Sequence, residues 1–314
     1  MSFHGVPRGN PHESWAKRHN GKVRYNSTGH DMRHAIQTNA TLLNQAWCDF
    51  IKAHDIKIGI SLDGPAFIHD AHRKTRSGKG THARTLQGMA LLQEHDIDFR
   101  VIAVLTREAL DYPDEMFQFF MHHGIRRIGF NIEEVEGINA TSSLEAVDAE
   151  ERYRAFMQRF YRLTKEAEGA LEVREFEQIR DLILHSESVT FGQFTPFSIL
   201  NIAHNGDFST FSPELLSMPS QDYGDFVLGN IEHDTFESVG RSQKFLRMHR
   251  DTQAGVALCK RSCAYFSLCG GGAPANKYYE NHSLRSSETM YCRFTRKALV
   301  DILLPDIESS LGLT

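Results

Sequence analysis

Four of the five cysteines, Cys259, Cys263, Cys269 and Cys292, fall within one C-terminal stretch of a 314-residue chain. Their spacing is C-x3-C-x5-C-x22-C, with Gly270, Gly271 and Gly272 directly after the third thiol. Four thiolates suit one [4Fe–4S] cluster or one tetrahedral zinc. Glycines beside such ligands let the backbone wrap closely and aim N–H groups at sulfur. The spacing leaves cluster and zinc open, because zinc sites usually come as two short cysteine knuckles and here there is one. Buried thiols without a metal are the plain alternative. Cys48, beside Trp47, reads as a small apolar packing residue.

Acid–base chemistry has five carboxylate candidates: Asp63, Glu133, Glu134, Asp207 and Glu214. Asp63 ends a β-branched run just before Gly64-Pro65, where carboxylates often bind ribose or a substrate. Asp207 sits in Asn205-Gly206-Asp207, a turn signature, so a turn role is at least as good a reading. The pairs His30–His34 and His69–His72 lack the HExxH pattern, which favours solvent-facing or hydrogen-bonded imidazoles over metal ligands. Gly78-Lys79-Gly80-Thr81 fails the phosphate-loop pattern, because Arg73 stands where the first glycine belongs. A flexible basic loop with Thr81 capping the next helix is the better reading.

Elements must position these residues. Residues 34–39, 56–63, 98–106 and 126–135 are short and β-branched, and the spacing predicts strands there. Residues 41–54, 81–95 and 113–123 repeat apolar side chains at helical spacing, with Pro113 favourable in a first turn. Strands separated by such helices imply βαβ units and a parallel sheet, with chemistry at the carboxyl ends of the strands. Two helical patterns follow in 144–187, broken near Gly169. Residues 188–292 lose periodicity and read as loop-rich, and helical character returns at 293–311. The expected domains are therefore 1–187 and 188–314.

Composition bounds the class. Forty per cent of residues are apolar and the net charge is −5, so a core can form, and nucleic-acid phosphate or anionic lipid is a poor partner. No apolar run approaches the length of a membrane span. The start shows neither the basic nor the apolar region of a secretory signal, so a cytoplasmic protein without a disulfide framework is expected.

These motifs converge on a family. Gln37-Thr38-Asn39-Ala40-Thr41-Leu42-Leu43, Gly59-Ile60-Ser61-Leu62-Asp63-Gly64-Pro65, and His69-Asp70 with Arg73, Gly78 and Gly80 resemble radical S-adenosylmethionine (radical SAM) enzymes with a SPASM domain. That family includes anaerobic sulfatase-maturating enzymes and peptide maturases. The run Phe208-Ser209-Thr210-Phe211-Ser212-Pro213-Glu214-Leu215-Leu216 is similar to cyclophane-forming peptide maturases. The resemblance implies an α/β fold: a partial (β/α) barrel followed by a loop-rich, cysteine-clustered SPASM-like domain. It implies that Ser61 and Arg73 contact S-adenosylmethionine, that Asn39 is the asparagine of the cofactor-binding third-strand motif, and that Asp63 belongs to the same site. It makes Cys259, Cys263, Cys269 and Cys292 the ligands of one auxiliary [4Fe–4S] cluster, with zinc the alternative. It implies a precursor peptide or protein as partner, and side-chain oxidation or crosslinking as the reaction.

Departures from the pattern set further expectations. The C-x3-C-x2-C motif is absent, and Cys48 is the only cysteine before Cys259. His4-Gly5-Val6-Pro7-Arg8 stands where the family has Gly-Gly-Glu-Pro after a histidine, so the barrel is expected to lack its first strand. Phe211-Ser212-Pro213-Glu214 replaces a Tyr-Pro-Cys-Asp run, which makes Glu214 a stand-in for an acid–base carboxylate. The expectation is a truncated, catalytically incomplete maturase homologue. The alternative is a non-catalytic iron–sulfur or zinc protein that binds a precursor peptide or partner.

Overall fold

The computed structural model describes residues 2–4, 33–137, 139–185 and 192–313. His30 and residues 5–8 lie outside these. The chain divides into two compact units, and the division does not follow the change of composition near 187/188. One unit holds 1–131 with 159–174, and the other 132–158 with 175–314.

The first unit is a parallel sheet with helices between its strands. In chain order come β1 (Ser2–His4), β2 (His34–Thr38), α1 (Gln45–Ala53), β3 (Ile56–Ser61), α2 (Ala66–His72), α3 (His82–Glu94), β4 (Phe99–Leu105), α4 (Pro113–His122) and β5 (Arg127–Ile132). Helix α5 (Ala149–Glu166), which is divided between the two units, and β6 (Glu172–Val173) follow. The strand order is sequential, β1 to β6. Ile58, Ile60, Val101, Ala103, Leu105, Ile128 and Phe130 are buried in it. Phe160 closes on Phe117 and Phe130 with centroid separations of 5.5 and 4.9 Å.

Helix α1 begins later than its apolar pattern, because Asn44 rather than Thr41 caps it, accepting from the Trp47 N–H at 3.1 Å. Cys48 is fully buried on its inner face, as its packing role requires. Strand β5 stops at Ile132, short of the expected residue 135, because the Glu133 carboxylate accepts hydrogen bonds from the Ser143 N–H and hydroxyl and folds the chain into a loop.

The second unit continues with α6 (Arg174–Leu184), β7 (Leu200–Ile202), β8 (Asp207–Thr210), β9 (Pro219–Ser220), β10 (Gly224–Asp225) and β11 (Gly229–Asn230). Strands β7, β8 and β11 pair antiparallel. Then come α7 (Phe236–Gly240), α8 (Gln243–Ser262), α9 (Phe266–Cys269), α10 (Pro274–Asn281), α11 (Met290–Cys292) and α12 (Leu299–Ser310). A π-helical turn, Arg293–Ala298, joins the last two. The 20-residue α8 corrects the loop-rich expectation for 188–292. Ser242 caps it, accepting from the Phe245 N–H at 3.2 Å. Its Met248 packs with Phe211, Leu215, Tyr223, Phe226, Ala275 and Leu284. Among the described residues, no helix is long and apolar enough to cross a membrane.

Candidate functional site

In the first unit the carboxyl end of β3 delivers Ser61 and Asp63. Helix α2 then turns the chain so that Arg73 comes back over the strand end. The Arg73 guanidinium grips the Asp63 carboxylate twice, Nε to Oδ2 at 2.5 Å and Nη2 to Oδ1 at 2.9 Å. The Val104 N–H also donates to Asp63 Oδ1 at 2.9 Å. Asp63 is therefore spent on fixing the arginine, which keeps its Nη1 edge for other acceptors. Ser61 Oγ accepts from Gln37 Nε2 at 3.1 Å. Asn39 forms a turn, its Oδ1 accepting from the Thr41 N–H and hydroxyl. Its carbonyl accepts from Thr85 Oγ1 at 3.0 Å, which ties the β2 end to α3.

His69 organises this corner and is fully buried. Its Nδ1 accepts from the Asp63 N–H at 3.3 Å, and its Nε2 lies 3.1 Å from Thr81 Oγ1. The Thr81 hydroxyl donates to the Arg73 carbonyl, so Nε2 must carry the ring hydrogen. Burial lowers the His69 pKa to about 4, against the opposing charge of Asp63, and the imidazole is neutral at pH 7. Thr81 stands at the start of α3 without capping it through its side chain. Asp70 does so instead, accepting from the His82 N–H at 2.9 Å.

In the second unit, α8 carries Cys259 and ends at Cys263, while α9 carries Cys269 and α11 carries Cys292. All four are free thiols. Gly270, Gly271 and Gly272 take φ of +66°, +119° and +75°, a left-handed path that brings the Gly271 carbonyl 3.6 Å from Cys259 Sγ. The Thr289 N–H donates to Cys292 Sγ at 3.4 Å. Lys277 Nζ lies 3.5 Å from Cys259 Sγ, and burial lowers its pKa against the opposing pull of that neighbouring sulfur. Lys297 pairs with Glu288, which raises its pKa, with a smaller contribution from Cys263 and Cys292. Burial pushes the Cys259 and Cys292 thiols up. Among the described residues, no three candidate ligands stand where one metal ion could be held. The donor set still fits a cluster in its chemistry: four reduced thiols, two ammonium groups within their field, and a glycine turn. A cubane spreads its thiolates over four irons and asks for wider spacing than one ion does.

The same unit brings together carboxylates far apart in sequence. Glu134 and Glu136 follow β5. Phe211 (φ +77°) turns the chain after β8 into the short helical turn Pro213–Leu215, which carries Glu214. Tyr279 Oη donates to the Glu214 carbonyl at 2.7 Å. Asn276 Nδ2 donates to Glu134 Oε2 at 2.6 Å. Burial, partly offset by that bond and reinforced by Glu214, raises the Glu134 pKa to about 7. Burial and the neighbouring Glu134 raise Glu136 to about 8. Glu136 and Asn276 were not legible as site residues in sequence, since nothing local marks them. Asp207 is held in its turn by Asn205 and Asn230, whose hydrogen bonds pull its carboxyl down. A cavity of about 460 Å³ in this unit is lined by Glu145, Glu150, Tyr279, Glu280, His282 and Arg293, among others.

No family model matches the chain. It is 48% identical to the uncharacterized protein sll1766 of Synechocystis over 281 residues, 89% of this chain and 71% of that one. It is 22% identical over 273 residues to the cysteine-type anaerobic sulfatase-maturating enzyme of Clostridium novyi, covering 86% of this chain and 71% of that enzyme. In sequence the chain resembles the anaerobic sulfatase-maturating enzymes. Solved structures of anSMEcpe share the fold. The native protein with bound AdoMet aligns with a TM-score of 0.78 at 18% identity, over 100% of this chain and 84% of that one. The form that also holds the Cp18Cys peptide gives 0.72 at 19%, over 100% and 86%.

Proposed function

We propose that this chain is a maturase-type radical SAM protein whose partner is a peptide or protein side chain presented for oxidation or crosslinking. The observation that carries the reading is the group Glu134, Glu136 and Glu214. Two of these carboxyls titrate near neutrality, where a group can take a proton from a substrate and release it again. The relatives' activity and the peptide held by a structural neighbour support the same substrate class. The cavity beside Tyr279 and Glu280 is of a size that takes a peptide side chain.

Arg73, braced by Asp63, and Ser61 would meet the methionyl carboxylate of S-adenosylmethionine, with Asn39 shaping the adjacent turn. Cys259, Cys263, Cys269 and Cys292 would hold one [4Fe–4S] cluster of the SPASM type. When bound, a cluster with an open iron supplies the electron that cleaves the sulfonium. The 314 residues contain no C-x3-C-x2-C run to hold that second kind of centre. By themselves they are therefore expected to bind S-adenosylmethionine at millimolar affinity or worse, about 4 kcal/mol, and to release no 5′-deoxyadenosine.

Anaerobic reconstitution followed by calorimetry tests this. Weak S-adenosylmethionine binding lost in Arg73→Ala is expected. A cysteine- or serine-containing peptide should bind, and bind more weakly to Glu134→Gln. Micromolar S-adenosylmethionine binding indifferent to Arg73→Ala would put the site elsewhere. 5′-Deoxyadenosine formed under dithionite above a Cys259→Ala/Cys263→Ala control would refute catalytic incompleteness.

A further inference from the structure

Lys277 is 3% exposed, and among the described residues its ammonium has one hydrogen-bond partner, Cys259 Sγ at 3.5 Å. A buried cation is costly without a counter-charge, so its placement asks for negative charge on that sulfur. The surrounding chain is built to admit it. Gly255 lies one helical turn before Cys259 on α8. A methyl group at Gly255 would meet the Leu284 carbonyl oxygen at 2.3 Å, the Ser286 carbonyl oxygen at 2.9 Å and Lys277 Nζ at 3.1 Å. The lysine thus passes α8 over the position where the helix has no side chain and reaches the sulfur one turn on. Asn276, next to it on α10, is fixed by Glu134, which holds this end of the helix.

We propose that Lys277 tunes the cysteine-bound cluster, donating a charged N–H···S hydrogen bond to the Cys259 ligand and raising the cluster's reduction potential. The inference rests on the four-cysteine ligand reading above. An ammonium so near a ligating sulfur favours the state with more negative charge, which is the one-electron-reduced state. Lys277 is a positioning and tuning group here, in contact with a ligand and with no reacting atom.

The test uses the full chain, reconstituted anaerobically with iron and sulfide, as wild type, Lys277→Met, Lys277→Gln and Lys277→Arg. Iron is counted, and dithionite titration is followed by electron paramagnetic resonance. Wild type should take up about four irons. At a fixed potential, Lys277→Met should show a reduced-to-oxidised ratio at least tenfold lower, about 59 mV for one electron. Lys277→Arg should stay within twofold of wild type. If Lys277→Met does not fold, Lys277→Gln carries the same comparison, because it keeps a donor and loses the charge. A charge-free variant that loads iron and titrates within twofold of wild type overturns the assignment while leaving the ligand reading intact. Absence of iron uptake by wild type overturns both.

Discussion

The corner at the end of β3 and the region around α10 treat buried charge in opposite ways. In the first, Arg73 meets Asp63 through two hydrogen bonds, and His69 is neutral with both ring nitrogens engaged. In the second, the Lys277 ammonium has a single sulfur, and Glu134 and Glu136 are held where water would be the better solvent. A saturated network reports a scaffold that fixes one geometry. Undercompensated groups with displaced pKa values mark where chemistry or a cofactor is expected. Substitution of Asp63 or His69 should therefore act mainly through stability, and substitution in the α10 region mainly through pH and ligands.

The largest expected effect breaks the saturated side. Asp63→Ala leaves the partly buried Arg73 and the Val104 N–H without an acceptor, and should cost about 3–5 kcal/mol in urea unfolding. A loss below about 1 kcal/mol would mean that the corner is not saturated in the sense argued. His69 comes next. Because burial lowers its pKa, its stabilisation is complete above pH 6.5 and is lost as pH falls toward 4. Each pH unit of that interval is worth about 1.4 kcal/mol, so up to about 3 kcal/mol should disappear on acidification. Unfolding of Asn or Gln variants at His69, compared at pH 7 and pH 4.5, should show a flatter profile than wild type.

The carboxylate side has the reverse sign. Glu136 has a raised pKa, so its penalty begins above the unfolded value of 4.5 and is complete once pH passes about 8. Allowing for partial solvent screening, Glu136→Gln should gain about 1–2 kcal/mol at pH 9 and little at pH 5. Equal effects at both pH values would remove the contrast between the two regions. The smallest effect is a control on an exposed pair. Glu237→Ala breaks the bond from Arg241, just past α7, and should cost no more than about 0.5 kcal/mol.

Much of the first unit was legible in sequence because its strands and helices carry clean apolar periods, as in Ile56, Ile58 and Ile60 or Met116, Phe117 and Phe120. Helix α8 was not. Its buried stripe, Phe245, Met248, Thr252, Gly255 and Cys259, has helical spacing, but Thr252 and Gly255 interrupt the apolar signal. Gly255 lacks a side chain where the segment of Leu284 and Ser286 approaches, which tertiary packing decides and local propensity cannot. The cysteines announced themselves by clustering. Glu134 and Glu214 could be named only as separate candidates, because their meeting depends on the loop after β5 and the Phe211 turn. Lys277 gave no sign, since a lysine in a polar helix ordinarily faces water.

The π-helical turn after Cys292 has a consequence for how this chain can change over generations. Such a turn holds one residue more than the α-helical register requires, and it is how a helix absorbs an insertion without losing its downstream contacts. Leu299, Leu303 and Ile307 form a buried face of α12 downstream of that turn. The direction in which Cys292 points is thereby uncoupled from the packing of the terminal helix. Lineages could lengthen or shorten this turn by one residue, re-aiming the last thiol by about 100°, and still inherit an intact hydrophobic anchor.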